Sequence, residues 1–203
     1  MKLMSNGTTP FGRKVRMSAL VKGVWPRIEL VMTDPNVPVH PELSSVNPIG
    51  KVPALILTDG SAIYDSAVIC EYIDSLAPSP RLIPAEGGER WKTLTLAALA
   101  DGILEAAVAI VYENRLREEP MRSKLWVDRQ QSKIERALAH LEAKLAPWSG
   151  TPDYGTISVA TALGYLDLRQ GGTWRQSHPG LVAWLDAFAR DVPAFDATRP
   201  PPA

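Results

Sequence analysis

The rhythm of apolar and polar residues along the chain changes once, near residue 77. Before that point short apolar stretches mix two-residue and helical periods; after it only helical spacing remains. Lys2 to Met4 predicts a short strand. Phe11 to Lys22 predicts a helix entered through Thr9 as N-cap, with Pro10 at the first helical position and Gly23 as its end. Arg27 to Met32 alternates apolar and charged residues, which predicts a second strand. Thr33 to His40, with two prolines and an asparagine, predicts a loop. Ala54 to Leu57 and Ser61 to Tyr64 flank the turn dipeptide Asp59-Gly60, a hairpin signal. Ile69, Tyr72, Ile73 and Leu76 follow at helical spacing behind Asp65-Ser66. The resulting order is βαβ, loop, ββα.

Ala77-Pro78-Ser79-Pro80 interrupts this unit, and Leu82 to Gly88 is rich in proline and glycine, so a linker is expected over 78–88. Beyond it the pattern predicts four helices. Trp91 to Arg117 is long and alanine-rich, and Trp126, Ile134, Ala137, Leu138, Leu141 and Leu145 stripe a second helix. Ile157 to Arg169 is apolar on all sides, which predicts a buried central helix capped by Thr156. Leu181, Trp184, Leu185 and Phe188 mark the fourth, and the tail from Pro193 is expected to be extended or frayed. The expected organisation is an α/β domain over 1–77 and an all-α domain over 89–203.

Composition narrows the function classes. In 203 residues, 22 basic and 22 acidic side chains cancel, which gives no reason to expect nucleic acid or an anionic membrane as partner. The N-terminus turns polar too soon for a signal peptide, and no uninterrupted apolar run approaches the roughly 20 residues of a membrane span. The single cysteine, Cys70, excludes an intrachain disulfide and fits a reducing cytoplasm; inside a helix, it is expected to be a packed, inert thiol. Three scattered histidines show no metal-ligand spacing.

Candidate chemistry centres on Asn47-Pro48-Ile49-Gly50-Lys51-Val52-Pro53-Ala54-Leu55 and, ten residues later, Asp65-Ser66. Proline within a sheet is confined to a strand start, an edge or a bulge. The Val52–Pro53 bond is therefore a candidate cis peptide that would turn the Val52 backbone toward an extended peptide ligand. Asp65-Ser66 opens a helix, whose free amides suit a carboxylate.

These residues resemble the glutathione site in the thioredoxin-like domain of cytosolic glutathione S-transferases. The run Ser5-Asn6-Gly7-Thr8-Thr9-Pro10-Phe11-Gly12-Arg13-Lys14-Val15 is similar to the same family's first strand–helix junction, in a bacterial-type Ser/Thr-Pro-Phe variant. The resemblance spans nearly the whole chain. It implies an α/β thioredoxin-like N-terminal domain, an all-α C-terminal domain, a homodimer, and attack of the glutathione thiolate on a small hydrophobic electrophile. Glutathione is then a substrate, with no metal and no redox cofactor.

Thr9 stands where relatives carry Ser or Cys, so its hydroxyl is the candidate thiol activator; Thr8, Ser5 and the Phe11 amide are alternatives, and a purely structural cap remains open for Thr9. Without a cysteine there, thiol-transfer chemistry is disfavoured. Val52-Pro53 and Asp65-Ser66 are expected to hold the peptide and its γ-glutamyl end, and Lys51, with His40, the glycine carboxylate. Asp101, Glu105, Tyr112 and Arg115 on the first long helix are expected to border the second-substrate pocket; the two acids either serve acid–base work or pair with arginines and cap helices. Relatives place an acid three residues after the cap of the central helix, whereas Thr156-Ile157-Ser158-Val159 lacks it. Two rival readings share the fold: a non-catalytic glutathione-binding regulator or carrier, and a glutathione-dependent isomerase using Arg13 and Arg115 for a dicarboxylate.

Overall fold

The computed structural model describes residues 1–34 and 40–201, so residues 35–39 of the expected loop and the last two residues of the tail lie outside the described residues. Four strands form one mixed sheet in the order β2-β1-β3-β4: β1 (Lys2–Ser5), β2 (Glu29–Met32), β3 (Ala54–Ile56) and β4 (Ala62–Ile63). The interior strand β1 buries Leu3, Met4 and Ser5 completely. It runs parallel to β2 and antiparallel to β3, with Met4 opposite Ala54, and β3 pairs antiparallel with β4, with Leu55 opposite Ile63.

The pairing stops at Met4 opposite Ala54 and Leu55 opposite Ile63, and continuing the same count past it aims Asn6 toward Val52 and Asp65 toward Pro53. The chain after β1, the Val-Pro segment before β3 and the helix start after β4 thus converge at one end of the sheet. That convergence defines the candidate site.

Helix α1 (Pro10–Val21) follows β1, α2 (Pro41–Val46) precedes the Val-Pro segment, and α3 (Ser66–Ser75) follows β4. The short α2 carries no periodic apolar signal; Pro41 opens it and His40 Nδ1 caps it by accepting the Leu43 amide at 3.4 Å. Asp65 caps α3 as expected, accepting the Ala67 amide at 3.0 Å. Asp74 near the end of α3 accepts the Lys22 ammonium at 2.7 Å and the amides of Leu82 and Ile83 at 2.7 and 3.2 Å, which pins the linker to the α/β unit.

The helical half comprises α4 (Gly87–Leu116), α5 (Lys124–Lys144), α6 (Tyr154–Gln170), α7 (Pro179–Asp191) and the short α8 (Ala194–Ala197). As its all-round apolar pattern requires, α6 is central, with Ile157, Val159, Ala160, Ala162, Leu163 and Leu166 fully buried. Its start corrects the sequence reading. The cap is Asp153, not Thr156: Asp153 Oδ1 accepts the Thr156 amide at 2.7 Å and Thr156 Oγ1 accepts the Asp153 amide at 2.8 Å. The capping box is complete, with the acid at the cap and the hydroxyl at the third position.

One other expectation changes: the tail is helical over Ala194–Ala197, because Phe195 is buried and Thr198 Oγ1 donates back to Ala194 O at 2.8 Å. Although Asp101 and Glu105 interrupt its apolar run, α4 has the length and composition of a membrane-crossing helix, with a mean hydropathy of 2.0 over 18 residues. Here it packs along α5 and α6, burying Ala97, Ala100, Ile103, Leu104, Ala106 and Ala107.

Candidate functional site

The loop between β1 and α1 is organised by Asn6. Its Oδ1 accepts the Thr9 amide at 2.8 Å, the Thr8 amide at 3.1 Å and the Thr8 hydroxyl at 3.4 Å. Thr9 does occupy the N-cap position, with extended backbone at φ −70° and ψ 124°, but its hydroxyl makes no capping bond. Asn6 fastens the loop instead, and sequence reading missed it; the cue was an Asx residue two and three places before the amides it receives. The Thr9 hydroxyl is left uncommitted among the described residues, and no side chain caps the first amides of α1. Pro10 contributes no N–H, so the exposed end of the helix dipole consists of the Phe11 and Gly12 amides. Phe11 itself packs its ring on the main core.

The two alternatives to Thr9 fare differently. Ser5 is fully buried, its hydroxyl donating to Asn6 O at 3.4 Å against Gly12. Thr8 directs its hydroxyl to Asn6.

Across the sheet end, the Val52–Pro53 peptide bond is cis, as is Tyr64–Asp65. Among the described residues neither the amide nor the carbonyl of Val52 has a hydrogen-bond partner, whereas the neighbouring Lys51 carbonyl accepts Asn47 Nδ2 at 2.8 Å. The tight turn that sets this up uses Gly50 at φ 66°, a conformation that disfavours any side chain. Lys51 is exposed, without an ion pair among the described residues. Ser66 is 3 % exposed at the first turn of α3, where its hydroxyl and amide have no partner among the described residues. His40 spends Nδ1 on its capping bond, which leaves Nε2 available as a donor.

Asp101 is not where the sequence reading put it. Its carboxylate receives the Lys14 ammonium at 2.6 and 2.8 Å, and Lys14, fully buried on α1, also donates to the Tyr154 hydroxyl at 3.1 Å. Burial raises the Asp101 carboxyl above its usual range, and Lys14 pulls the other way. The pair is therefore an ionic bolt between α1, α4 and α6, with a lysine where arginine was expected. Tyr112, eleven residues and about 16 Å of helix further on, lines a cavity of about 670 Å³ at the α4–α5 end with Leu116, Met121, Trp126 and the Glu113–Arg117 ion pair. Glu105 and Arg115 are exposed, and neither lines that cavity. Of the four residues, Tyr112 alone lines this cavity.

Arg13 is also committed elsewhere. It lies buried over the Phe195 ring, 4.3 Å from its centroid, donates Nη2 to Phe195 O at 2.9 Å and Nε to Thr198 Oγ1 at 3.5 Å. Burial, with Arg199 and Arg16 nearby, lowers its pKa to about 10, so it stays charged at neutral pH. Cys70 is buried and its thiol is pushed up to about 11, chiefly by desolvation, which makes it no nucleophile. Among the described residues no group of three or more His, Cys, Asp or Glu side chains is placed to hold a metal ion.

The fold and this sheet-end site define a thioredoxin-like domain joined to a helical domain, with an uncapped helix start beside a cis-proline segment and a serine-bearing helix start. Comparison with known proteins gives the same class. The family description "Glutathione S-transferase, N-terminal domain" matches residues 8–76 and "Glutathione S-transferase, C-terminal domain" residues 125–187. The uncharacterized GST-like protein YibF of Escherichia coli K12 is 33 % identical over 210 residues, covering 100 % of both chains. A glutathione transferase family member from Pseudomonas fluorescens Pf-5, solved with bound glutathione, superposes with a TM-score of 0.94 at 43 % identity over 98 % of each chain. A second structure of a family member from that organism, holding S-(propanoic acid)-glutathione, gives 0.87 at 42 %, covering 99 % of this chain and 100 % of the other. The chain belongs to the glutathione S-transferase family.

Proposed function

We propose that this protein is a glutathione transferase that joins the glutathione thiolate to a small hydrophobic electrophile. The observation that carries the reading is the uncommitted Thr9 hydroxyl at the uncapped start of α1, at the same end of the sheet as the unpaired Val52 backbone and the Ser66 helix start. Glutathione would lie along Val52-Pro53 as an added strand, its γ-glutamyl carboxylate on the Ser66 amide and hydroxyl with Asp65 beside it. Lys51 and the His40 Nε2–H would take its glycine carboxylate. The thiol proton passes to solvent, and the sulfur, held by Thr9 Oγ1 and the Phe11 amide, forms a bond to the electrophilic carbon as the leaving group departs with its electron pair. The bound conjugate in one Pseudomonas structure supports an S-substituted product in a similar site. Tyr112, with Leu116, Met121 and Trp126 as the apolar part of its cavity, is proposed to face the electrophile.

A free thiol titrates near 8.5, so a two-unit depression needs about 2.7 kcal/mol of preferential anion stabilisation. Thr9→Val keeps the shape and removes the donor. The bound thiol should then titrate about one unit higher, with about a tenfold lower ratio of thiolate to thiol and a reaction about threefold or more slower at neutral pH. Ser66→Ala removes one charge-assisted hydrogen bond of about 1.5–3 kcal/mol and should weaken glutathione binding at least tenfold, read by titration calorimetry. Turnover with a panel of electrophiles decides the class. Glutathione binding without turnover would support the carrier reading, and no binding would overturn both. The isomerase reading has lost Arg13, which is engaged with α8.

The working form is proposed to be a homodimer in a reducing cytoplasm. Supporting it are Trp91 and Val68, 66 % and 51 % exposed on α4 and α3, apolar faces that water covers poorly in a monomer. Sedimentation should show a dimer; a 22.1 kDa species alone at micromolar concentration would rule it out.

A further inference from the structure

The C-terminal tail returns to the loop that presents Thr9. A Cβ placed on Gly7 would lie 3.5 Å from Pro201 Cδ and 3.6 Å from Met32 Cε, so the tail and the end of β2 both come up against the loop at this residue. Three residues upstream of Pro201, Thr198 is 1 % exposed, anchored by its own bond to Ala194 O and by Arg13 Nε. Arg13 grips the preceding turn through Phe195 O, and its side chain lies so close to α6 that a Cβ on Gly164 would come 2.5 Å from Nη1. Between anchor and loop stand Arg199, Pro200 and Pro201. Proline has a restricted φ, and proline-rich segments behave as semi-rigid spacers of about 3.1 Å per residue, so this short span transmits the position of Thr198 to Gly7.

We infer that the segment from Thr198 to Pro201 is a brace for the thiol-activating loop, with Arg13 as the positioning residue that sets it. This inference rests on the transferase reading and deepens its site. Asn6 orders the loop from within by taking the Thr8 and Thr9 amides, while the proline tail stops it from swinging outward at Gly7, the one loop residue without a side chain to pack. Arg13 follows Thr9 by four residues and receives its carbonyl in the first turn of α1, its amide donating to Thr9 O at 3.1 Å. One residue therefore holds the helix start through its backbone and the tail through its side chain.

The test compares the full chain with two variants: one ending after Thr198, which keeps α8 and the Arg13 hydrogen bonds to Phe195 O and Thr198 Oγ1, and one with Pro200→Gly and Pro201→Gly, which keeps the tail but removes its stiffness. The thiolate absorbance of bound glutathione is followed against pH, with glutathione affinity by calorimetry and thermal unfolding alongside. Both variants should titrate about half a unit or more higher than the full chain, about a threefold lower ratio of thiolate to thiol at neutral pH. Their glutathione affinity should fall by no more than the roughly threefold change that such a shift itself carries, because Val52 and Ser66 are untouched. Titration curves that coincide with the full chain's overturn the brace, even if the melting temperature falls. A full chain that itself shows no depressed thiol pKa overturns the transferase reading, a separate result visible before any variant is made.

Discussion

Asp101→Leu should cost the fold about 3–5 kcal/mol and lower its melting temperature by roughly 6–20 °C, a larger loss than Lys14→Met should cause. The asymmetry follows from burial. The Lys14 side chain is fully buried and that of Asp101 is 21 % exposed, so removing the acid strands an ammonium with only the Tyr154 hydroxyl at 3.1 Å. Removing the lysine leaves a carboxylate that can turn to water. The double variant Lys14→Met, Asp101→Leu should recover most of the loss, because a buried ion pair contributes little net stability over well-packed apolar residues. Calorimetric melting of the three variants checks the order; an Asp101→Leu protein that melts within 2 °C of the parent would mean the pair is solvated in solution. Since the pair joins α1 to α4 and α6, its loss should also loosen the helical half from the half that carries the thiol loop.

Gly12→Ala should destabilise by about 3 kcal/mol, at the upper end of ordinary overpacking, and impair the site as well. The added methyl would fall 2.0 Å from Ser5 Oγ and 2.8 Å from Thr9 Cγ2. Ser5 is fully buried on the interior strand and its Cβ, at 3.2 Å, is also crowded, so turning the hydroxyl aside does not clear the methyl and α1 must shift from the sheet or Thr9 be displaced. Ser5→Ala in the same chain relieves the nearest contact and should restore part of the stability. Chemical unfolding gives the answer: a Gly12→Ala midpoint equal to the parent's would show that β1 and α1 part without cost.

What the sequence made legible was local. Asp65 caps the helix it precedes, Val52–Pro53 bends at the start of β3, and the apolar pattern of α6 marks it as central, because each depends on residues within a turn or two. The errors share a physical cause. The preference of hydroxyl residues for N-caps predicts that Thr9 holds the first amides of α1, yet those amides stay uncapped, and what fastens the loop is Asn6, whose carbonyl oxygen accepts the Thr8 and Thr9 amides one turn earlier. Thr156 was taken for the cap because the box was sought in one polarity only; Asp153 supplies it in the other. The partner of Asp101 lies 87 residues away and that of Arg13 more than 180, separations that no helical period records. Helical spacing correctly set Asp101 and Tyr112 on one side of α4, but a 30-residue helix is long enough for one end of a face to be a domain junction and the other a cavity wall.

The division of labour in the first loop bears on how such a site changes over generations. Because the loop is tied by Asn6, the side chain at position 9 holds no backbone amide, and helix α1 starts at Pro10 whatever that side chain is. The side chain at position 9 can change, from one hydroxyl to another or to a thiol, without loss of a hydrogen bond that fastens the loop. Asn6 is the opposite case. A change there releases the loop at two amides together, so drift should be tolerated at the residue proposed to hold the sulfur and resisted at the quiet one three places before it.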